Sequence, residues 1–383
     1  MKCIQCNVDN NLKDRTANQG RCSNCKHPFA FEPTSMESRF RFTDGFFAKA
    51  LADISANGTL YFTRKQLLYL LEKRLLRKAR ISSAVFLALS LFIPATLVGM
   101  SILVSNRLAW IVPIFMILCV IGFISLVQRF ERLFLRPKKI NKSVLITEAM
   151  LDDWLQQWQR FNPPPTRLLP PPSASATLAP AAADDVTAYS FDRVLVCDSV
   201  AIAQLLIANN IHFEHNCAVL SISGYPQAIF ATTMAMLRRN PDLQVIALHN
   251  CSPSGVALIN ELRTSPDWYL DSGQVIFDLG LLPRQVAAAR GHAYIQFSDQ
   301  FARYARSMPQ KVRQSLTAIE LKWLEAGYFV DLESFAPQRL MQIVSQGIAR
   351  MQNLGEVVDD NFIFVVDGGG GDGTFIYASD NFG

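Results

Sequence analysis

The chain has 383 residues, half of them apolar, a formal charge of +5 and a mean hydropathy of +0.16. This is high for a soluble protein and suggests membrane segments, while the length allows two or three modest domains and the mild charge defines no class by its sum. No apolar stretch follows "MKCIQC", so no cleavable signal peptide is expected, and the scattered Cys119, Cys197, Cys217 and Cys251 suit a reducing compartment without a disulfide framework.

Residues 1–34 are expected to form a zinc ribbon. Cys3, Cys6, Cys22 and Cys25 read C-x2-C-x15-C-x2-C, so each tight pair offers two thiolates to one tetrahedral ion. Four cysteines leave no open ligand position, which makes such a zinc structural. His27 is read as a bystander. So short a segment has no core, and metal binding would supply its folding energy. A ribbon of this kind can bind nucleic acid or protein, and the spacing does not say which.

Residues 35–80 read as helical. "DGFFAKALADISANG" has helical periodicity and closes on glycine, "TLYF" is a candidate short strand, and Thr63 is placed to cap "RKQLLYLLEKRLLRKAR". Residues 81–128 hold two uncharged runs, Ile81 to Asn106 and Leu108 to Gln128. Each is long enough to cross a hydrocarbon core of about 30 Å. They are expected to form a transmembrane helical hairpin. Basic residues flank it on both sides, among them Arg77, Lys78, Lys138 and Lys139, which places both ends in the cytoplasm at the cell membrane. Residues 129–162 follow as a juxtamembrane amphipathic helix. Residues 163–188 follow as a Pro/Ala-rich linker.

From 189 to 356 the pattern becomes α/β. "RVLVCD", "CAVLSIS", "LQVIAL" and "QVIFDLG" are near-continuous apolar strands with helical segments between them, which implies a parallel sheet covered on both faces. Ligand sites in such sheets lie at the carboxyl ends of the strands. That edge would hold Asp198, Gly224 and the turn "HNCSPSG". Residues 357–383 form a Gly/Asp-rich tail. Its "GGGGDG" does not sit between a strand and a helix as a phosphate loop requires. The expected fold class is therefore multidomain: a zinc ribbon, a transmembrane hairpin and an α/β domain.

The strand ending in Asp198, then "SGYP", "ALHNCSPSG", "VIFDLGL" and "LKWLEAGYFVDLESFAPQRLMQIV", resembles the Toprim domain of the topoisomerase VI A-subunit group, over roughly residues 190 to 350. In that family the first strand ends in a glutamate and the third in D-x-D-P-x-G, and these acids hold Mg²⁺. The resemblance implies that Asp198 takes the glutamate position and that Asn250 and Ser252 replace the two aspartates. Pro253 and Gly255 match P-x-G, and Gly224 with Pro226 matches a G-x-P turn. Magnesium wants carboxylates and waters, so neutral Asn and Ser are weak substitutes and magnesium is not expected. A weaker likeness is to the family's winged helix, where "TRKQLLY" puts Tyr69 at the position of the nucleophilic tyrosine. The hairpin follows too soon for a wing.

The expected function is that of a membrane-anchored, catalytically degenerate Toprim-like protein binding nucleic acid or a protein partner. Gly224, Asn250, Ser252, Ser254 and Gly255 are its candidate phosphate or ligand-binding residues. A divergent Mg²⁺-dependent nuclease or DNA transesterase would instead use Asp198 with Glu333 or Asp278, or Tyr69. A third alternative is a membrane scaffold recruiting partners through ribbon and tail. The bland readings are an unrelated Rossmann-like domain, Asp198 as a helix cap and Glu333 as a surface carboxylate. A replacement zinc site at His249 and Cys251 is not expected, since too few ligands converge.

Overall fold

The structure is a computed structural model, which describes residues 1–37, 40–76, 146–172, 191–240, 242–268, 274–288 and 294–353. The expected membrane hairpin, the linker from residue 173 and the tail lie outside the described residues. Among the described residues no helix is long and apolar enough to cross a membrane. The chain divides into two units: Met1–Ser35, Phe42–Leu70 and Lys142–Gly383 make one, and Met36–Arg41 and Leu71–Asn141 the other. The ribbon, the sheet and the site residues all belong to the first.

Residues 1–29 fold as two matching knuckles. Cys3 N–H donates to Val8 O and Asn7 N–H to Cys3 O, and in the second knuckle Cys22 N–H donates to His27 O and Lys26 N–H to Cys22 O. Asn7 and Lys26 are left-handed, at φ +59° and +61°, which lets the chain double back after each cysteine pair. Between the knuckles lies α1 (Leu12–Ala17), closed by a capping box of Asn11 and Asp14. The ribbon is tied onward by Asp44, at the first turn of α2 (Asp44–Ile54). Its buried carboxylate accepts N–H bonds from Ala30 and Phe31, both at 2.9 Å.

A helix α3 runs over residues 64–76. Thr63 caps it as its sequence suggests: Thr63 Oγ1 accepts from Gln66 N, and Gln66 Oε1 accepts from Thr63 N. The amphipathic segment before the linker forms α4 (Glu148–Gln159), whose buried Leu151, Trp154, Leu155 and Trp158 recur at helical spacing. This stripe packs on protein. Trp154 meets Phe42 edge-on at 4.9 Å between centroids, and Trp158 lies 5.3 Å from Phe47 and 6.4 Å from Phe31. Aromatic pairs add roughly 0.5–1.5 kcal/mol each beyond the area they bury. The first residues of the expected linker are also ordered on the protein, since Phe62 N–H donates to Arg167 O, Leu169 N–H to Phe62 O, and Leu169 is buried.

The α/β part is built on four parallel strands: β1 (Arg193–Cys197), β2 (Cys217–Ser221), β3 (Gln244–Leu248) and β4 (Ile276–Asp278). Their order is β2-β1-β3-β4. Alternate residues enter two different cores. Leu195, Cys197, Val219, Ile246 and Leu248 face one, and Val194, Val196, Ala218, Val245 and Ala247 the other. Both faces are dry, so the strands read as unbroken apolar runs without polar alternation. Burying each large aliphatic side chain contributes about 1.5–3 kcal/mol. α5 (Val200–Ala208) and the last helix of the domain, α14 (Pro337–Asn353), supply residues to the first core. α7 (Gln227–Arg239) and α9 (Leu258–Thr264) supply the second. The intervening α6 (Ile211–Glu214) and α8 (Pro253–Val256) are single turns.

Beyond α10 (Pro283–Ala288), a small antiparallel pair, β5 (Gln296–Phe297) and β6 (Tyr328–Phe329), is joined through α11 (Asp299–Ser307), α12 (Gln310–Gln314) and α13 (Ala318–Glu325). β6 runs on into a bridge between Val330 and Cys251, with hydrogen bonds of 3.0 and 2.9 Å. This bridge brings the segment 330–335 to the carboxyl end of the parallel sheet.

Candidate functional site at the strand ends

From β1 the chain crosses to β2 on one side and later returns to β3 on the other, so the switch in strand order falls between β1 and β3. Crevices at such switch points are where open α/β sheets bind ligands. Asp198 follows β1 and Asn250 follows β3, and here they bind each other. Asn250 backbone N–H donates to Asp198 Oδ2 at 2.8 Å, and Asn250 Nδ2 donates to Asp198 Oδ1 at 3.2 Å. The other end of the same amide accepts from Leu332 N at 2.7 Å. Asn250 is thus a bridge that needs both a donor and an acceptor on one planar group. An ionised aspartate has only acceptors and could not make it. Burial pushes the Asp198 carboxyl up to about 6, against the two bonds from Asn250 that favour its charge.

The neighbouring candidates are used locally. Ser252 is buried and caps α8, its Oγ accepting from Gly255 N at 3.0 Å, and exposed Ser254 lies 3.2 Å away, hydroxyl to hydroxyl. A Cβ on Gly255 would overlap the Asn250 carbonyl oxygen and stand 3.0 Å from Asp198 Oδ2, so only glycine fits beside the pair. Gly224, at φ +79°, closes the turn after β2 through its N–H to Ser221 O at 2.9 Å.

Asp278 ends β4 and faces His249. The ring is fully enclosed, with Nε2 3.1 Å from Asp278 Oδ1 and Nδ1 2.8 Å from Asn250 O. Nδ1 meets the Asn250 carbonyl, while Nε2, short of hydrogen-bond geometry, lies within ion-pair distance of the Asp278 carboxylate, which favours the imidazolium. Burial opposes charge on either partner, yet the pairing wins: His249 is raised and Asp278 lowered from their ordinary values. Each strand-end carboxylate therefore already has a protein partner.

Glu333 lies in the 3-10 turn Leu332–Ser334 and is buried, where a surface carboxylate was the bland expectation. Thr63 Oγ1 donates to its Oε1 at 2.7 Å, and Lys65 Nζ stands 3.8 Å from Oε2. Tyr69 is buried as well. Its hydroxyl donates to Asp331 Oδ2 at 2.8 Å and accepts from Gln296 Nε2 at 2.7 Å. Burial, then the adjacent Asp331 carboxylate, raises the phenol far above its usual value, the reverse of what a nucleophile needs. The segment 331–335 thus clamps the start of α3, and Gln66 Nε2 adds a bond to Phe335 O at 3.0 Å. A cavity of about 460 Å³ opens beside this clamp at the start of α5, where Lys65, Glu148, Ser199, Gln204 and Glu333 are among its walls.

In the ribbon the sequence-predicted thiols converge. Sγ–Sγ distances are 3.6 Å for Cys3–Cys25 and for Cys6–Cys22, and all four sulfurs lie within 4.8 Å of one another. A tetrathiolate tetrahedron with metal–sulfur bonds of about 2.3 Å has edges of about 3.8 Å, so these residues could hold a metal ion. Asn10, wholly buried, orients them: Nδ2 approaches Cys22 Sγ at 3.4 Å and Oδ1 accepts from Ser23 N at 2.8 Å. Among the described residues this is the one group of His, Cys, Asp and Glu gathered closely enough for a metal.

No protein-family model matches the chain, and no curated protein matches it significantly. The site thus stands on its own geometry. Asp331, Gln296 and the Leu332 N–H escaped sequence reasoning, although Asp331 lies within the quoted "VDLESF". Nothing local in the sequence signals that its partner is Tyr69.

Proposed function

We propose that this chain is a membrane-anchored, zinc-stapled binding protein whose Toprim-like α/β domain engages nucleic acid or a protein partner on the cytoplasmic face without hydrolysing a phosphodiester. The observation that carries this reading is the Asn250 amide, held between Asp198 and the Leu332 N–H. A Mg²⁺ centre at a Toprim strand end needs several carboxylates free to reach the ion. Here Asp198 is committed to Asn250, Asp278 to His249 and Glu333 to Thr63. Ser252 in the second acid position caps a helical turn. The four-thiol cluster fits zinc in donor type and edge length, and zinc there would staple the two knuckles with no catalytic role. The two uncharged runs of 81–128 with their basic flanks support the anchor and its orientation.

The competing reading is a divergent nuclease or transesterase. Its support is that the Asp331 carboxylate lies near enough to Asp198 to help raise it. The test is plasmid nicking by detergent-purified, zinc-loaded full-length protein with Mg²⁺ or Mn²⁺, beside Asp198→Ala. No metal-dependent nicking above the variant is expected. Nicking that disappears in Asp198→Ala would make the protein a nuclease with rewired ligands.

A further inference from the structure

The parallel sheet has two edges, and they differ. β2, at one edge, is buried at every residue. β4, at the other, runs from half-buried Ile276 and Phe277 to exposed Asp278, and Val275 just before it is 54% exposed. Pairing with β3 uses alternate residues: Val245 N–H donates to Val275 O, and Leu279 N–H to Ala247 O. In such a ladder the backbone N–H and C=O of Ile276 and Asp278 point the other way. Among the described residues these groups meet no partner. Phe277 packs against the first core and Ile276 against the second, so both cores run out to this edge. An apolar edge of this kind is a template for another strand. β4 has none of the usual guards: it holds neither Lys nor Pro, its register with β3 is unbroken, and its one charge, Asp278, is turned to His249.

The chain itself carries a segment that fits. Residues 361–366, "NFIFVV", lie outside the described residues, but their sequence reads as β1 to β3 do, as a continuous run of aromatic and β-branched residues. Such a run suits a strand whose two faces each continue a dry core. The tether is also suitable. Gly347 in α14 packs against Leu279, the residue after β4, so closely that a Cβ there would overlap the Leu279 side chain. From Gly347 the helix runs on to Asn353, a further ~9 Å at the usual rise. Residues 354–360 then span up to ~23 Å when extended. The segment 361–366 therefore reaches β4 with the described residues left in place. A second copy fits less well, because it offers only the three residues of its own β4, whereas a short tether gives the tail an effective concentration on the order of millimolar.

We propose that residues 361–366 add as a further strand to the free edge of β4 and cover the sheet in cis. This goes beyond the binding function above and does not depend on it. The test is amide hydrogen exchange at Ile276 and Asp278 in full-length, zinc-loaded protein in detergent. Both amides should be protected, and equally so at low and high protein concentration. Removing residues 357–383 should speed their exchange by at least about tenfold. The Phe277 amide, which faces β3, should stay as slow as before and so report that the sheet is still folded. Two point variants guard against an unfolded truncation. Successive N–H groups of a strand point to opposite edges, so at least one of Ile363→Pro and Phe364→Pro removes a donor aimed at β4 and should reproduce the faster exchange. The proposal is overturned if Ile276 and Asp278 exchange freely in the full chain, or if their protection survives the truncation and both prolines. Protection that rises with protein concentration would also overturn it and assign the edge to a second copy.

Discussion

Replacing Asn250 by aspartate restores the acid that the Toprim pattern expects and removes the side-chain donor of the bridge, leaving only the backbone N–H on Asp198. The new carboxylate would face Asp198 at the present 3.2 Å. Two charges at that distance repel by about 5 kcal/mol at an effective dielectric constant of ~20. Protonating one of them is cheaper. With Asp198 already raised to about 6, placing a proton there at pH 7 costs about 1.4 kcal/mol. Losing the amide donor adds about 1 kcal/mol. Asn250→Asp should therefore destabilise by about 2–3 kcal/mol at pH 7 and by only about 1 kcal/mol at pH 5, where Asp198 is largely protonated in the parent. The sign follows from linkage: a carboxyl with a raised folded pKa gives full stability below its unfolded value near 3.8, and that contribution is lost as pH rises through about 6. Urea unfolding at the two pH values measures this. The exchange variant Asp198→Asn with Asn250→Asp retains every hydrogen bond with donor and acceptor swapped, and should recover most of the loss. An Asn250→Asp protein as stable as the parent at pH 7, or an exchange variant no better than the sum of its parts, would refute the bridge.

Other substitutions separate partners from bystanders. Thr63→Val leaves the buried Glu333 carboxylate without its hydroxyl donor and uncaps α3, so we expect a loss of about 2–3 kcal/mol by chemical denaturation, whereas Glu333→Gln, which can still accept from Thr63, should stay within about 1 kcal/mol. Asp44→Ala strands the Ala30 and Phe31 N–H groups in the aromatic core and should cost about 2–4 kcal/mol, read as faster amide exchange at those two positions. Tyr69→Phe removes two hydrogen bonds, to Asp331 and from Gln296, and no nucleophile, while Gln296 keeps its own bond to Asp331. It should lower stability by about 1 kcal/mol and leave nucleic-acid binding unchanged, and a covalent protein–DNA adduct that vanishes with this variant would contradict that role.

The parallel sheet was legible because its strands are buried on both faces and therefore read as continuous apolar runs. The thiol cluster was legible because four ligands at fixed spacing come from two local turns. What stayed hidden was tertiary. The apolar stripe of α4 announces a buried face without saying whether membrane or protein covers it, and Phe42 and Phe47 cover it from about a hundred residues upstream. Glu333 reads as a surface acid until the chain brings back Thr63, 270 positions away. Asn250 reads as a lost aspartate, and only the Leu332 N–H on its far side shows that the amide has work an acid could not do. The runs of 81–128 carry their own signal, and their structure lies outside the described residues.

The most direct test of a strand-end crevice without a catalytic metal is a Mn²⁺ titration of the full-length, zinc-loaded protein followed by electron paramagnetic resonance. We expect Mn²⁺ to stay free in solution at millimolar concentration, with the parent and Asp198→Ala indistinguishable. One tightly bound Mn²⁺ per chain, lost in Asp198→Ala, would contradict the binding-only reading and place a metal centre where the Asn250 bridge now stands.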